Sequence, residues 1–377
     1  MSRHSMLAVA ACVALIVLGS LGLIACGDSS SDDAAAYAWA VGGSGGSGTI
    51  LATTDGGAHW SAQTSGTRYG LWAVSFADTS HGWAVGGYAP IPSDLESIAL
   101  ILATTDGGSH WVPQSEAAGE PLRTVACADA DHVWAAGGGQ TAVILASSDG
   151  GRTWTAQHVD DPVDHIDDIA FADTTHGWAV GTVGDIGEAD GTGHVLATTD
   201  GGSHWSVQAT LRGGTDWGLA FADTTHGWVV GGAPWGTQGG PGGSLARVWA
   251  TSDGGATWTP APVPEGIIAY LEAVACTDSS HVWTAGAASE DIYRSTDVGL
   301  TWLASTKSVK SSGVLAIAFS DSSHGWAVTL DGSLTSIIAT TDGGVSWSRQ
   351  VKMGEESGIA AQLIDITCPS AAEGSGQ

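Results

Sequence analysis

Eleven residues between positions 158 and 194 have the side chains to do chemistry together: His158, Asp160, Asp161, Asp164, His165, Asp167, Asp168, Asp185, Glu188, Asp190 and His194. Carboxylates and imidazoles hold divalent cations, and a dense run of carboxylates also suits a basic partner surface. Their irregular spacing favours a plainer reading, a solvated acidic rim. A second set of carboxylates is regular. Asp55, Asp106, Asp149, Asp200, Asp253, Asp297 and Asp342 each sit in an octet of the form Ser/Thr-x-Asp-x-Gly-x-x-Trp, about 43 to 53 residues apart. A catalytic acid does not need seven copies. A short Asp side chain that accepts backbone N–H bonds fixes a turn, and the glycines after it supply positive φ. These aspartates are therefore read as hairpin clasps rather than metal ligands. The sixth octet places Val298 where the others have Gly. Three tryptophans outside the repeat, Trp72, Trp217 and Trp235, could stack on a sugar or anchor a partner; their competing role is packing around a central channel.

The elements that carry these residues repeat with the octets. Between octets lies a block typified by Val74-Ser75-Phe76-Ala77-Asp78-Thr79-Ser80-His81-Gly82-Trp83-Ala84-Val85-Gly86, with copies from Val125, Ile169, Leu219, Val274 and Ile317. It reads as a strand, a turn and a second strand; a third strand precedes each octet and a fourth follows it. Four short strands per repeat make one propeller blade. The first repeat begins at its second strand, Ala38–Gly42, and Leu363–Cys368 matches Leu122–Cys127 near the other end. The expected fold is an all-β, seven-bladed β-propeller of four-stranded antiparallel blades over residues 37–368. The C-terminal strand completes the first blade and closes the ring, and residues 369–377 form a disordered tail. In such a ring the regular turns share one face. The loops between second and third strands, and between blades, share the other, and their lengths vary (87–97, 181–193, 231–245). Variable loops on a rigid scaffold are the expected binding face.

The octets resemble the Asp-box, or bacterial neuraminidase repeat. The longer unit, Trp-Ala-Val-Gly followed by Thr-Thr-Asp-Gly-Gly-x-x-Trp, resembles the photosystem II assembly/stability factor family of seven-bladed propellers, from about Tyr37 to Cys368. The resemblance implies a non-catalytic role, since its relatives help to assemble membrane complexes. That family's partner surface is arginine-bearing, whereas Arg68, Arg123, Arg152, Arg212, Arg247, Arg294 and Arg349 are scattered singly here. Photosystem binding is therefore not carried over. Asp-boxes also occur in sialidases and two-propeller glucanases. This chain lacks the sialidase arginine cluster and Tyr–Glu pair, and it has one propeller. The expected function is a non-catalytic binding or assembly scaffold; the alternative is a glycan-binding protein or a glycoside hydrolase with an acid pair drawn from the 158–194 residues.

Residues 1–25 read as a lipoprotein signal peptide: Arg3, an apolar run, then Leu23-Ile24-Ala25-Cys26, which looks like a lipobox. Cys26 is the expected lipidation site, residues 26–36 a flexible tether, and the location bacterial and extracytoplasmic, on the cell membrane or on the outer membrane of a two-membrane cell. Acids outnumber bases 39 to 11 and the formal net charge is −28, which argues against nucleic acid. The expected partners are the membrane, through the lipid, and an extracytoplasmic protein or complex, with a glycan as the alternative; the chain is read as a monomer. No cofactor is expected, a divalent cation being the one alternative. Cys127, Cys276 and Cys368 occupy a column filled by Phe in the other repeats and are read as apolar fillers, not disulfide partners.

Overall fold

The computed structural model describes residues 36–43, 47–88, 97–139, 141–160, 163–183, 192–212, 215–232, 246–263, 271–286, 291–305, 309, 311–332, 334–354 and 362–369. Every helix or strand assigned among them is a strand. Five sheets have four strands and one has nine. The unit is an antiparallel meander in chain order, as in Gly70–Phe76, Gly82–Tyr88, Ile98–Thr104 and Val112–Ala118. Alternation buries one set of side chains on each side of these thin sheets, and the second strands, such as Gly82–Tyr88, are buried almost throughout.

Two units depart from the simple pattern. Ala38–Gly43, Gly48–Thr53 and Ser61–Gln63 lack a leading strand of their own, and Leu363–Thr367 takes that place, antiparallel to Ala38–Gly43. The nine-stranded sheet is two meanders, led by Leu122–Cys127 and His165–Phe171, joined where His165 pairs with Gly138. Residues 158–168, read from the sequence as an entry loop, are largely ordered into strands. His158–Val159 runs parallel to the start of the outer strand His204–Arg212, and the leading strand starts at His165. Ile166 and Ile169 drive this: both are buried, and they hold the acidic residues between them in extended conformation.

Each leading strand lies beside the leading strands of the units before and after it. Leu363–Thr367 lies beside Gly313–Phe319 on one side and Gly70–Phe76 on the other. The units are stitched by tryptophan. Trp134 stacks on Phe171 of the next unit with ring centroids 3.4 Å apart, and its Nε1–H donates to the Gly201 carbonyl there (2.9 Å). Trp39 with Phe76 and Gly107, and Trp178 with Phe221 and Gly254, repeat the arrangement. Cys127, Cys276 and Cys368 stand in the phenylalanine column, and none of them forms a disulfide.

The leading strands share one irregularity. Six of the seven have an extra residue near the start, opposite a single residue of the partner strand, which is a β-bulge. Register shifts fall at Leu71/Ala73, Leu122/Thr124, Ile166/Asp168, Thr215/Gly218 and Val314/Ala316, and at the pairing of Val41 and Gly42 with Asp365 and Leu363. In the remaining unit Glu272 takes the same place ahead of Ala273, and its N–H donates to the Ala285 carbonyl.

Candidate functional site

The octet aspartates are occupied by their own turns. The Thr53 hydroxyl donates to Asp55 Oδ1 (2.9 Å), the His59 N–H donates to the same oxygen (2.9 Å), and His59 Nδ1 lies 2.7 Å from Oδ2. All seven copies repeat the first two bonds, and the ring is replaced at Oδ2 by the hydroxyl of Thr153, Thr257, Thr301 or Ser346 where no His is present. The His59 N–H and then its ring hold the Asp55 carboxyl down to about 2, and the rings and N–H groups of His110 and His204 do the same for Asp106 and Asp200. The first glycine of each octet has φ near +70°. Val298, at 66°, is the one positive-φ non-glycine residue among those described. The six histidines of the first turn, His81 through His324, are likewise tied to the aspartate three residues before them.

Among the described residues, the irregular acids and histidines do not form one surface. His158 and Asp160 lie 3.4 Å apart, exposed, beside His204 and Trp205 at the octet end of the sheet. The pairing of His158–Val159 with His204–Trp205 places them there. His165 is buried, with Nε2 3.0 Å from Asp167 Oδ1, while the Thr182 hydroxyl donates to Asp167 Oδ2 (2.9 Å). Asp167 is only 12% exposed, so this group is structural in its surroundings and not a solvated rim. His194 pairs with Gly181 and Thr210 inside the sheet, and the Asp164 N–H donates to the Thr182 carbonyl. Asp161, Asp185, Glu188, Asp190, Trp235 and Cys26 lie outside the described residues. Among the described residues, no group of three or more His, Cys, Asp and Glu side chains is placed to hold a metal ion.

What the structure gathers instead is the bulge column. A cavity of about 280 Å³ opens where the leading strands begin, lined by Trp72, Arg123, Asp167, Glu272, Leu315 and Ile364 from six units. Trp217 takes the bulge of the seventh unit by register. The layer beneath carries Asp168 and Asp365. Asp168 accepts from Thr124 Oγ1 (3.0 Å), from the Ile169 N–H and from the Leu219 N–H of the next unit (both 2.9 Å). Asp365 accepts from the Val74 N–H across the neighbouring unit (2.9 Å). Arg123 lies 5.7 Å over the Trp72 ring. A second cavity, about 520 Å³, opens at the other ends of the same strands and is lined by the Phe/Cys column. The sequence reading named Trp72, Trp217, Asp167 and Asp168 but missed Arg123, Glu272, Leu315, Ile364 and Asp365 as a group. Aligning the repeats on the residue before Ala73, Thr124 and Ala316 would have found them.

Burial pushes the Asp168 carboxyl up to about 6 and Asp365 up to about 7, and the Asp168 charge adds to the rise at Asp365, while the backbone N–H groups pull both the other way. An acid raised in the folded state costs nothing where both states are protonated, below about pH 4. It subtracts stability as pH rises toward the folded value. Asp365→Asn, which keeps an acceptor for Val74, is therefore expected to stabilise the protein at pH 8. The gain is on the order of 2 kcal/mol, because both side chains are partly open to channel water. The gain should disappear at pH 4. Denaturant unfolding at the two pH values measures it, and a gain independent of pH would contradict the assignment.

An all-β fold of four-stranded antiparallel sheets packed through their leading strands, with cavities at both ends of those strands, defines a β-propeller. No protein-family model and no curated protein matches the chain. Solved structures do. YCF48 bound to D1 peptide is 19% identical with a TM-score of 0.51, over 74% of this chain and 80% of that one. U3-55K is 10% identical with a TM-score of 0.50, over 76% and 82%. YCF48 from Cyanidioschyzon merolae is 19% identical with a TM-score of 0.49, over 74% and 84%. At these identities the likeness is one of fold.

Proposed function

We propose that this chain is a non-catalytic scaffold that binds an extracytoplasmic protein or peptide on the loop face of a seven-bladed propeller, closed by Leu363–Thr367 and held to a membrane through lipid on Cys26. The observation that carries this reading is the division of labour between the faces. On the turn face, carboxylates and histidines are spent on their own turns, residue by residue and repeat by repeat. On the loop face, six side chains of six kinds, from six repeats, converge on one cavity. YCF48 with its D1 peptide is a precedent for a peptide partner on this fold. The sugar-stacking alternative rests on Trp72, Trp217 and Trp235; of these, Trp72 has its ring covered on one side by Arg123.

A photo-crosslinker tests the reading when placed in the lipidated protein in its own membranes, in one case at Tyr88 and in the other at Thr257. Tyr88 is exposed and ends a second strand on the loop face; Thr257 belongs to an octet. A discrete protein adduct is expected from Tyr88 and not from Thr257. Adducts only from Thr257 would move the site to the turn face, and none from either would overturn the scaffold reading. A Cys26→Ser variant run alongside should leave the membrane fraction, which reports the anchor separately.

A further inference from the structure

In the bulge column the repeats share a backbone irregularity and differ in chemistry. The positions after it are uniform: Val74, Val125, Ile169, Leu219, Val274, Ile317 and Ile366 all hold an aliphatic side chain one step past the layer of Ala, Thr, Asp and Gly. An inserted residue disrupts pairing, so a bulge kept in six leading strands re-aims a side chain at a cost. Here Trp72, Arg123, Asp167, Leu315 and Ile364 line one cavity. A column that only packed the channel would be as uniform as the aliphatic column.

The chemistry of the column is sorted around the ring. Leu315, Ile364 and Trp72 come from three consecutive units and make an apolar arc; Ile364 is 38% exposed although its backbone lies within the ring. Asp167 and Glu272 face the cavity from the opposite arc, and Asp168 and Asp365 stand beneath. Arg123 is the single base lining the cavity, and its guanidinium is drawn aside over Trp72, with Nε–H donating to the Gly138 carbonyl (3.4 Å). The cavity is smaller than a drug-sized pocket and suits one side chain or a short aliphatic chain.

We infer that this mouth binds an alkylammonium group, its aliphatic stem against Leu315, Ile364 and Trp72 and its charge against Asp168 and Asp365. This deepens the scaffold reading and rests on it. The ammonium could belong to a lysine of a protein partner or to a free amine, and both satisfy the same site. Half-buried carboxylates beneath a partly apolar mouth are well matched to such a ligand, because the cation offsets the repulsion between the two acids. The overall negative charge of the chain draws cations toward it.

Calorimetry on the full lipidated chain in detergent tests the inference with four probes: pentylammonium, the uncharged 1-pentanol, an acetylated and amidated Gly-Lys-Gly peptide, and its norleucine counterpart. Each ammonium probe should bind about tenfold or more tightly than its neutral partner. The Asp168→Asn/Asp365→Asn double variant should erase that preference. Ile364→Trp, at an exposed position that leaves both acids in place, should weaken all probes by filling the mouth. A lysine peptide that outbinds pentylammonium assigns the site to a partner's side chain; the reverse assigns it to a free amine. No preference in the wild type, or a preference that survives the double variant, overturns the inference. If that occurs while the Tyr88 adduct persists, the scaffold reading stands without it; loss of the adduct from an amine-binding protein would remove the scaffold reading alone.

Discussion

A chain ended at Gln362 is expected to lose its cooperative unfolding transition. Leu363–Thr367 pairs with Trp39–Gly42, and its Leu363 and Ile366 are buried among Ala38, Trp326 and Val328. Burial of those two side chains alone contributes roughly 1.5–3 kcal/mol each. The Leu363 N–H donates to Thr335 Oγ1 (2.9 Å), and Asp365 satisfies the Val74 N–H. Truncation would strand those partners and open a sheet edge along Ala38–Gly43. The strand also touches units from the two extremes of the chain. Its loss is therefore larger than the sum of its contacts. Calorimetry or denaturant unfolding of the truncated chain measures this, and adding residues 363–377 as a peptide should restore the transition. A truncated protein that melts within a few degrees of the intact one would show that the last strand is dispensable.

The second large effect is expected at Trp134. Its ring is 2% exposed, stacked face to face on Phe171 and hydrogen-bonded to the next unit's octet. Trp134→Ala should cost about 3–5 kcal/mol, the range for deleting a buried aromatic. Trp83 is an internal control. It is equally buried, but it meets Cys127 instead of a phenylalanine, and its Nε1 finds no hydrogen-bond partner among the described residues. Trp83→Ala forfeits neither the stacking nor the hydrogen bond, so it should cost less by about 1–2 kcal/mol. Equal losses at the two positions, read from denaturant midpoints at constant slope, would mean that burial alone sets the cost.

The periodicity made the four-stranded unit, the clasp role of Asp55 and its equivalents and the filler role of the three cysteines legible in the sequence, because each repeats with a fixed local mechanism. Val298 shows how far local chemistry reaches: the residue keeps the left-handed turn conformation although only the following Gly299 matches the other octets. The site was legible only in pieces. A bulge adds one residue without changing the apolar pattern on either side of it, so Trp72, Arg123 and Asp167 fell into separate sets: tryptophans, scattered arginines and the acidic run. The density of acids around 160–168 suggested a solvated surface. In the fold, Asp168 is held beside the backbone N–H groups of Ile169 and Leu219, and Asp167 beside His165 and Thr182. Ile169 and His165 are local, but Leu219 lies 51 residues from Asp168 and Thr182 lies 15 from Asp167, which no local reading could supply. The pairing of His158–Val159 with His204–Trp205 has the same non-local origin.

The cysteines that fill the phenylalanine column carry a practical consequence. Burial pushes the Cys127 and Cys276 thiols up to about 12, and Cys368 is raised as well. At neutral pH about one thiol in 10⁵ of the first two is ionised, so alkylating reagents meet almost no nucleophile there. A single cysteine introduced at an exposed position such as Tyr88 would thus stand out chemically against a silent background of native thiols among the described residues. Fluorophores or spin labels attached through it could follow events at the rim of the molecule without first stripping the interior of its own sulfur.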